Sequence, residues 1–139
     1  MDYGNCATLS KNKIITAEEN GRKLTINNPT LRSITKVQVD GCLRISGGKR
    51  CDYLFEIDQP TTQVIYLELK GCDIPKAYEQ LAATIDLFRS KHDGCKKVCH
   101  IVASRVPKAG TETQQLKIKL LKTKQAELIV STNQAFVNV

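Results

Sequence analysis

The chain of 139 residues has no tryptophan, a single methionine and only 5% aromatic residues. Four Tyr and three Phe leave a core to be built from Val, Ile and Leu. They also argue against a surface that binds single strands by stacking bases on rings. No stretch approaches the ~18 consecutive apolar residues of a membrane span, so a membrane is not an expected partner. The first residues are polar, with no apolar run resembling a secretory leader, and none is expected. No segment repeats and none is of low complexity. Cys6, Cys42, Cys51, Cys72, Cys95 and Cys99 follow no regular spacing, so they are read as reduced thiols and the expected location is cytoplasmic. Cys99 and His100 are adjacent and would point to opposite faces of a strand, which speaks against a shared metal ion with Cys95 and His92.

What is present suits one soluble domain spanning residues 1–139. Apolar residues make up 41% and charged residues 25%. The formal net charge is +7 and the pI about 9.2, a balance that favours a polyanionic partner, nucleic acid ahead of an anionic membrane.

Asn20-Gly21 lies between Lys13–Ala17 and Arg22–Ile26, two runs rich in β-branched residues. This predicts an N-terminal β-hairpin, the alternative being an N-terminal helix carrying Glu18 and Glu19. Strands are expected over Ile34–Val39, with a continuation past Asp40-Gly41 to Ile45 left open, then over Cys51–Ile57 and Val64–Lys70. Asp73 can cap a helix with Pro75 in its first turn. Ala77, Leu81, Thr84, Ile85 and Phe88 form its apolar face, and Asp93-Gly94 ends it. Lys97–Ser104 reads as a buried strand, Thr113–Gln125 as a basic helix and Ala126–Thr132 as a last strand. The expected architecture is mixed α/β around one central sheet.

The segment Tyr66-Leu67-Glu68-Leu69-Lys70-Gly71 carries the chemistry. Along a strand Tyr66, Glu68 and Lys70 share one face and Leu67 and Leu69 the other. Opposite charges at the end of an apolar strand are costly to bury unless something engages them. If the strand of Asp52 pairs with that of Glu68, two carboxylates and an ammonium come together. Two hard oxygen ligands suit Mg²⁺ or Mn²⁺, which retain waters and accept phosphate oxygens.

Asp52, fifteen intervening residues, then Glu68-Leu69-Lys70 resembles the signature of the PD-(D/E)XK nuclease superfamily, the restriction-endonuclease-like fold. The likeness spans about residues 34–104 and includes the order of elements. It implies an αβββαβ core with a mixed central sheet, preceded here by the N-terminal hairpin. It further implies metal-dependent hydrolysis of phosphodiester bonds, with DNA the expected substrate ahead of RNA. Asp52, Glu68 and the Leu69 carbonyl would be the metal ligands, and Lys70 would serve the attacking water. Gln80, within Tyr78-Glu79-Gln80-Leu81, resembles a Gln-bearing helix motif of several branches and is expected to support catalysis. Members that cut both strands are frequently dimers, so a homodimer belongs with that expectation. The chain departs from the pattern at Cys51, where the signature has Pro, and in lacking the leading helix.

From Arg105 onward Lys108, Lys117, Lys119, Lys122 and Lys124 face a single acid, Glu112. Beside a metal site they would contact phosphates; otherwise they form a solvated helix face with Leu116, Leu120 and Leu121 turned to the core. The alternative to an enzyme is a nuclease-fold protein without catalysis that binds nucleic acid or a protein. A basic RNA-associated protein with no metal site is a third reading. Ser104 and Thr84 have no histidine at serine-hydrolase spacing, and no helix follows Gly47-Gly48-Lys49 to make a phosphate loop.

Overall fold

The computed structural model describes residues 2–69, 72–106 and 110–139. After a short 3₁₀ turn at Gly4–Cys6 come β1 (Ala7–Ser10), β2 (Ile14–Glu19) and β3 (Arg22–Asn27). Asn20 and Gly21 take φ of 51° and 80°, the left-handed pair of a two-residue turn whose twist matches its strands. The expected hairpin is therefore β2–β3. β4 (Ile34–Gln38), β5 (Tyr53–Ile57) and β6 (Gln63–Glu68) follow, then α1 (Ile74–Leu87), β7 (Lys96–Ala103), α2 (Thr111–Lys124), β8 (Ala126–Thr132) and β9 (Gln134–Asn138).

The expected mixed α/β class with a mixed central sheet holds, but the described strands form a second, smaller sheet that was not expected. The main sheet has the order β1-β4-β5-β6-β7-β8, and the smaller one β2-β3-β9. From β1 to β6 the main-sheet neighbours are antiparallel. β7 is parallel to both β6 and β8, because α1 and α2 each return the chain across the sheet. Asn133, with φ of 60°, turns the chain from β8 directly into β9, which pairs in parallel with β3. β1 and β9 carried no strand signal, because their four and five residues are too short and too mixed in polarity to alternate clearly.

The main sheet is covered on both faces. On one side Val37, Leu54, Val64, Tyr66, Cys99 and Ile101 pack with Ala77, Leu81, Ile85 and Phe88 of α1. On the other, Phe55, Ile65, Leu67, Leu69 and Val102 pack with Ile15, Ala17, Leu24 and Ile26 of the small sheet. This two-sided burial explains why β5 and β6 read as continuous apolar runs. The face expected of α1 is buried as expected, although the helix ends at Leu87 with Phe88 as its cap, before Asp93-Gly94. β4 does not continue to Ile45: Gly41, at φ 81°, turns the chain, and Arg50 Nε donates to Asp40 Oδ1 at 3.2 Å. α2 buries Leu120 alone, with Leu116 partly buried. Leu121 is 62% exposed, contrary to its expected inward turn.

The reading of all six cysteines as reduced is also corrected. Cys6 and Cys42 form a disulfide, with Cα atoms 5.7 Å apart. β1 pairs with β4, setting Ala7 opposite Val37, and that unforeseen edge pairing brings the two cysteines together. Cys51, Cys72, Cys95 and Cys99 are free thiols.

Two histidines are buried by different means. His92, in the turns after α1, accepts or donates within a closed set: Nε2 lies 2.7 Å from Glu56 Oε2 and Nδ1 2.8 Å from the Tyr66 hydroxyl. The Tyr3 hydroxyl also donates to Glu56. Burial raises the Glu56 pKa, but the bonds from His92 and Tyr3 outweigh it and hold the carboxyl below its usual range. His100 on β7 is 3% exposed, and its Nδ1 has no hydrogen-bond partner among the described residues.

Burial lowers the His100 pKa from 6.5 to about 4. The folded state thus holds it neutral while the unfolded chain takes up a proton, so stability present above pH 6.5 is lost as pH falls through about 4. The full linkage is roughly 3 kcal/mol. Urea midpoints at pH 7 and pH 4.5 should fall less in His100→Leu than in the wild type. Equal losses would show that the acid sensitivity lies elsewhere.

Candidate active site

β6 carries buried Val64, Ile65, Tyr66 and Leu67 to its end at Glu68, which is 5% exposed. Alternation puts Glu68 on the α-helical side of the sheet with Tyr66. The β5–β6 ladder ends with Tyr53 opposite Leu67, and Asp52 and Glu68 are the next residues of the two chains beyond that pair. Asp52 is 3% exposed. Its N–H donates to the Leu67 carbonyl at 3.1 Å, and its carbonyl accepts from Val39 N–H at 2.9 Å. Because the strand begins only at Tyr53, the side-chain alternation expected for residues 51–57 does not reach Asp52. Its carboxylate turns instead to the next strand, where Oδ2 accepts from Leu69 N–H at 2.8 Å.

α1 causes that turn. Asp73 caps the helix by accepting from Lys76 N–H, and the helix then lays Gln80 and Thr84 against the approach to β5. Gln80 Oε1 accepts from Arg50 N–H at 2.9 Å. Thr84 Oγ1 accepts from Cys51 N–H at 2.8 Å and donates to the Gln80 carbonyl at 2.7 Å. Residues 50 and 51 therefore bond to helix side chains. Gln80 touches main chain two residues from Asp52, which makes it a positioning residue by contact. Thr84 does the same one residue nearer and was assigned no such part from sequence.

Burial drives the Cys51 thiol up to about 12, and the charges of Glu68 and Asp52 add to the shift. One sulfur thus feels both carboxylates. Leu69 is fully buried, and its carbonyl accepts a hydrogen bond from Arg22 Nε of β3. That arginine was not singled out from sequence. Its signal was present: Glu19 and Arg22 end the alternating runs Ile15-x-Ala17-x-Glu19 and Arg22-x-Leu24-x-Ile26, placing charge where the inward apolar stripe stops. Lys70 lies outside the described residues. No group of three or more His, Cys, Asp or Glu able to hold a metal ion occurs among the described residues.

The basic stretch is divided by the fold. Arg105 is exposed just after β7, at the end of the sheet where β6 reaches Glu68. α2 then runs back along the sheet for 14 residues, about 20 Å at the helical rise. Lys122 and Lys124 therefore sit toward the opposite end, where Lys124 Nζ contacts both Asp86 oxygens at 2.8 Å. Lys119 Nζ lies 5.6 Å from the Tyr78 ring centroid. Lys117 is half-buried, and Lys108 lies outside the described residues. No helix among the described residues is long and apolar enough to cross a membrane.

Compared with protein-family models, curated proteins and solved structures, the chain gives no match.

Thr84 is fully buried, so Thr84→Val, nearly equal in shape, strands the Cys51 N–H. A loss of about 1–3 kcal/mol is expected, read from urea unfolding. A change within about 0.5 kcal/mol, the range of an ordinary surface substitution, would mean that the Thr84 bond does not hold the approach to Asp52.

Proposed function

We propose that the chain is a metal-dependent nuclease that hydrolyses phosphodiester bonds, DNA ahead of RNA, at Asp52, Glu68 and Lys70. The observation that carries this is a pair of carboxylates, each at least 95% buried, of which Asp52 enters β5 and bonds to the N–H of Leu69, the residue after Glu68 at the end of β6. The order β4-β5-β6-α1-β7 supports it, since it follows the βββαβ part of the restriction-endonuclease-like core, with Asp52 entering the second strand and Glu68 ending the third. The N-terminal part departs from that core: the 3₁₀ turn, β1 and the hairpin precede β4, where the family has its leading helix.

The donor set fits a hard divalent cation. Asp52 and Glu68 offer carboxylate oxygens, and Mg²⁺ commonly needs only one or two of these besides water and phosphate. Such an ion would polarise the scissile phosphate and acidify a bound water. The chain's own residues divide the remaining work. Asp52 is fixed by Leu69 N–H, and Gln80 and Thr84 hold the main chain leading to it. Lys70 orients the water or offsets charge as the bond breaks. Arg105, exposed at the same end, is the phosphate contact best placed from the basic stretch. Cutting both strands of a duplex would call for a homodimer.

One observation favours a second reading, a nuclease-fold protein that binds nucleic acid without cutting it. The Leu69 carbonyl, the third oxygen expected to hold the ion, is engaged by Arg22.

Purified protein incubated with plasmid and Mn²⁺ separates the readings. Cleavage by the wild type should drop about 100-fold or more in Glu68→Gln and in Lys70→Ala, with melting temperatures checked in parallel. Mg²⁺ or Mn²⁺ should also raise the wild-type melting temperature by mass action and fail to do so in Glu68→Gln. Equal cleavage by all three proteins would mark a contaminant and end the enzyme reading. Plasmid binding without cleavage and without a metal-dependent melting shift would establish the second.

A further inference from the structure

The inner face of the small sheet pairs Ile15 with Ile26, Ala17 with Leu24, and Glu19 with Arg22. The first four are no more than 7% exposed and pack against the main sheet. The stripe ends in a charged pair. Directing a guanidinium at the seam between two sheets is costly unless it is engaged, and Arg22 Nε donates to the Leu69 carbonyl there. The N–H of the same residue is held by Asp52, and Glu68 immediately precedes it. Arg22 therefore reaches across from the hairpin tip to the peptide unit that follows Glu68 and that Asp52 also holds.

Resting on that reading, we propose that Arg22 caps the Leu69 carbonyl until a divalent ion takes that oxygen, so that the hairpin tip sets how tightly the ion is held. A carbonyl oxygen has two lone pairs, yet sharing it between a guanidinium and a divalent ion would hold two cations against one atom. Ion binding thus opposes the Arg22 contact. Loading the site releases the hairpin tip, and removing the arginine removes a competitor.

The test is a Mn²⁺ titration of the full chain, following the free-ion signal by electron paramagnetic resonance. Arg22→Gln should bind about tenfold or more tightly than the wild type, with Arg22→Lys, which keeps the charge, falling between them. A merely structural brace predicts unchanged or weaker binding in Arg22→Gln, and that result overturns the proposal while leaving the metal site standing. Binding by neither protein removes the metal site itself and the proposal with it. A second measurement needs no variant. Saturating Mg²⁺ should speed amide exchange at residues 20–23 of the wild type, and unchanged exchange there would also overturn the release of the tip.

Discussion

Leu69 stands where β6 has run out of neighbours on its β5 side, and its peptide groups must find partners in a fully buried place. Unpaired main-chain donors and acceptors there would cost as much as lost hydrogen bonds. β5 could have supplied them by extending toward residue 51. It does not, because the N–H groups of Arg50 and Cys51 are taken by Gln80 and Thr84 of α1. Side chains fill the gap instead: the Asp52 carboxylate accepts the Leu69 N–H and Arg22 donates to its carbonyl. The cluster of charge at this end of the sheet is thus the consequence of a ladder interrupted by a helix.

That arrangement needs both layers that flank the main sheet. The α-helical layer diverts the approach to Asp52, and the three-stranded layer delivers Arg22. The second delivery depends on β9, which pairs with β3 from Lys23↔Gln134 to Asn27↔Asn138 and is joined to the main sheet through Asn133. Asn133 itself is bonded on both sides, its N–H to Ala103 and its carbonyl to Lys23 N–H, at 2.8 and 2.9 Å. The hairpin tip is accordingly referenced to the end of β7, beside Glu68. The C-terminal strand helps to set the position of a residue near the N-terminus.

Elements with strong local signals could be read directly. Asn20-Gly21, the Asp73 cap and the spacing of Ala77, Leu81 and Ile85 each have a local physical cause, and each lies where expected. The pairing of β5 with β6 was also legible, because a short polar loop joins two apolar runs. What escaped depended on distant partners. β1 is a strand because β4 offers it an edge, and only that pairing brings Cys6 to Cys42. β9 exists because β3 has a free edge beneath it. Leu121 stays exposed because α2 is the outer element over β8 and covers it with a narrow strip around Leu120. The burial of Asp52 and Glu68 at the ends of adjacent strands is what the structure adds to their spacing. Arg22 was not anticipated, since the charge pair at the hairpin tip looks like ordinary surface until the sheet beneath it is known.

The main sheet also buries the Glu56 carboxylate, and its surroundings contrast with those of Asp52 and Glu68. Glu56 lies four residues along the chain from Asp52, about 13 Å at the strand rise, among Tyr3, Tyr66 and His92. Its partners are side chains wholly enclosed by the core: His92 and Tyr66 are fully buried and Tyr3 is 8% exposed. Together they form a closed set whose members satisfy one another, which is how a core tolerates charge. At the other end Glu68 and Asp52 sit where strands finish, with exposed Ser104 and Cys72 in contact at 3.1 Å one residue beyond β7. The partner of Asp52 is a main-chain N–H on the strand of Glu68, and the adjoining carbonyl is held by an arginine from another layer. A group held through a contact between layers can be released without dismantling the core, whereas the Glu56 set cannot. Enclosure alone therefore does not distinguish the two carboxylates proposed to act; their position at the interrupted end of a ladder does.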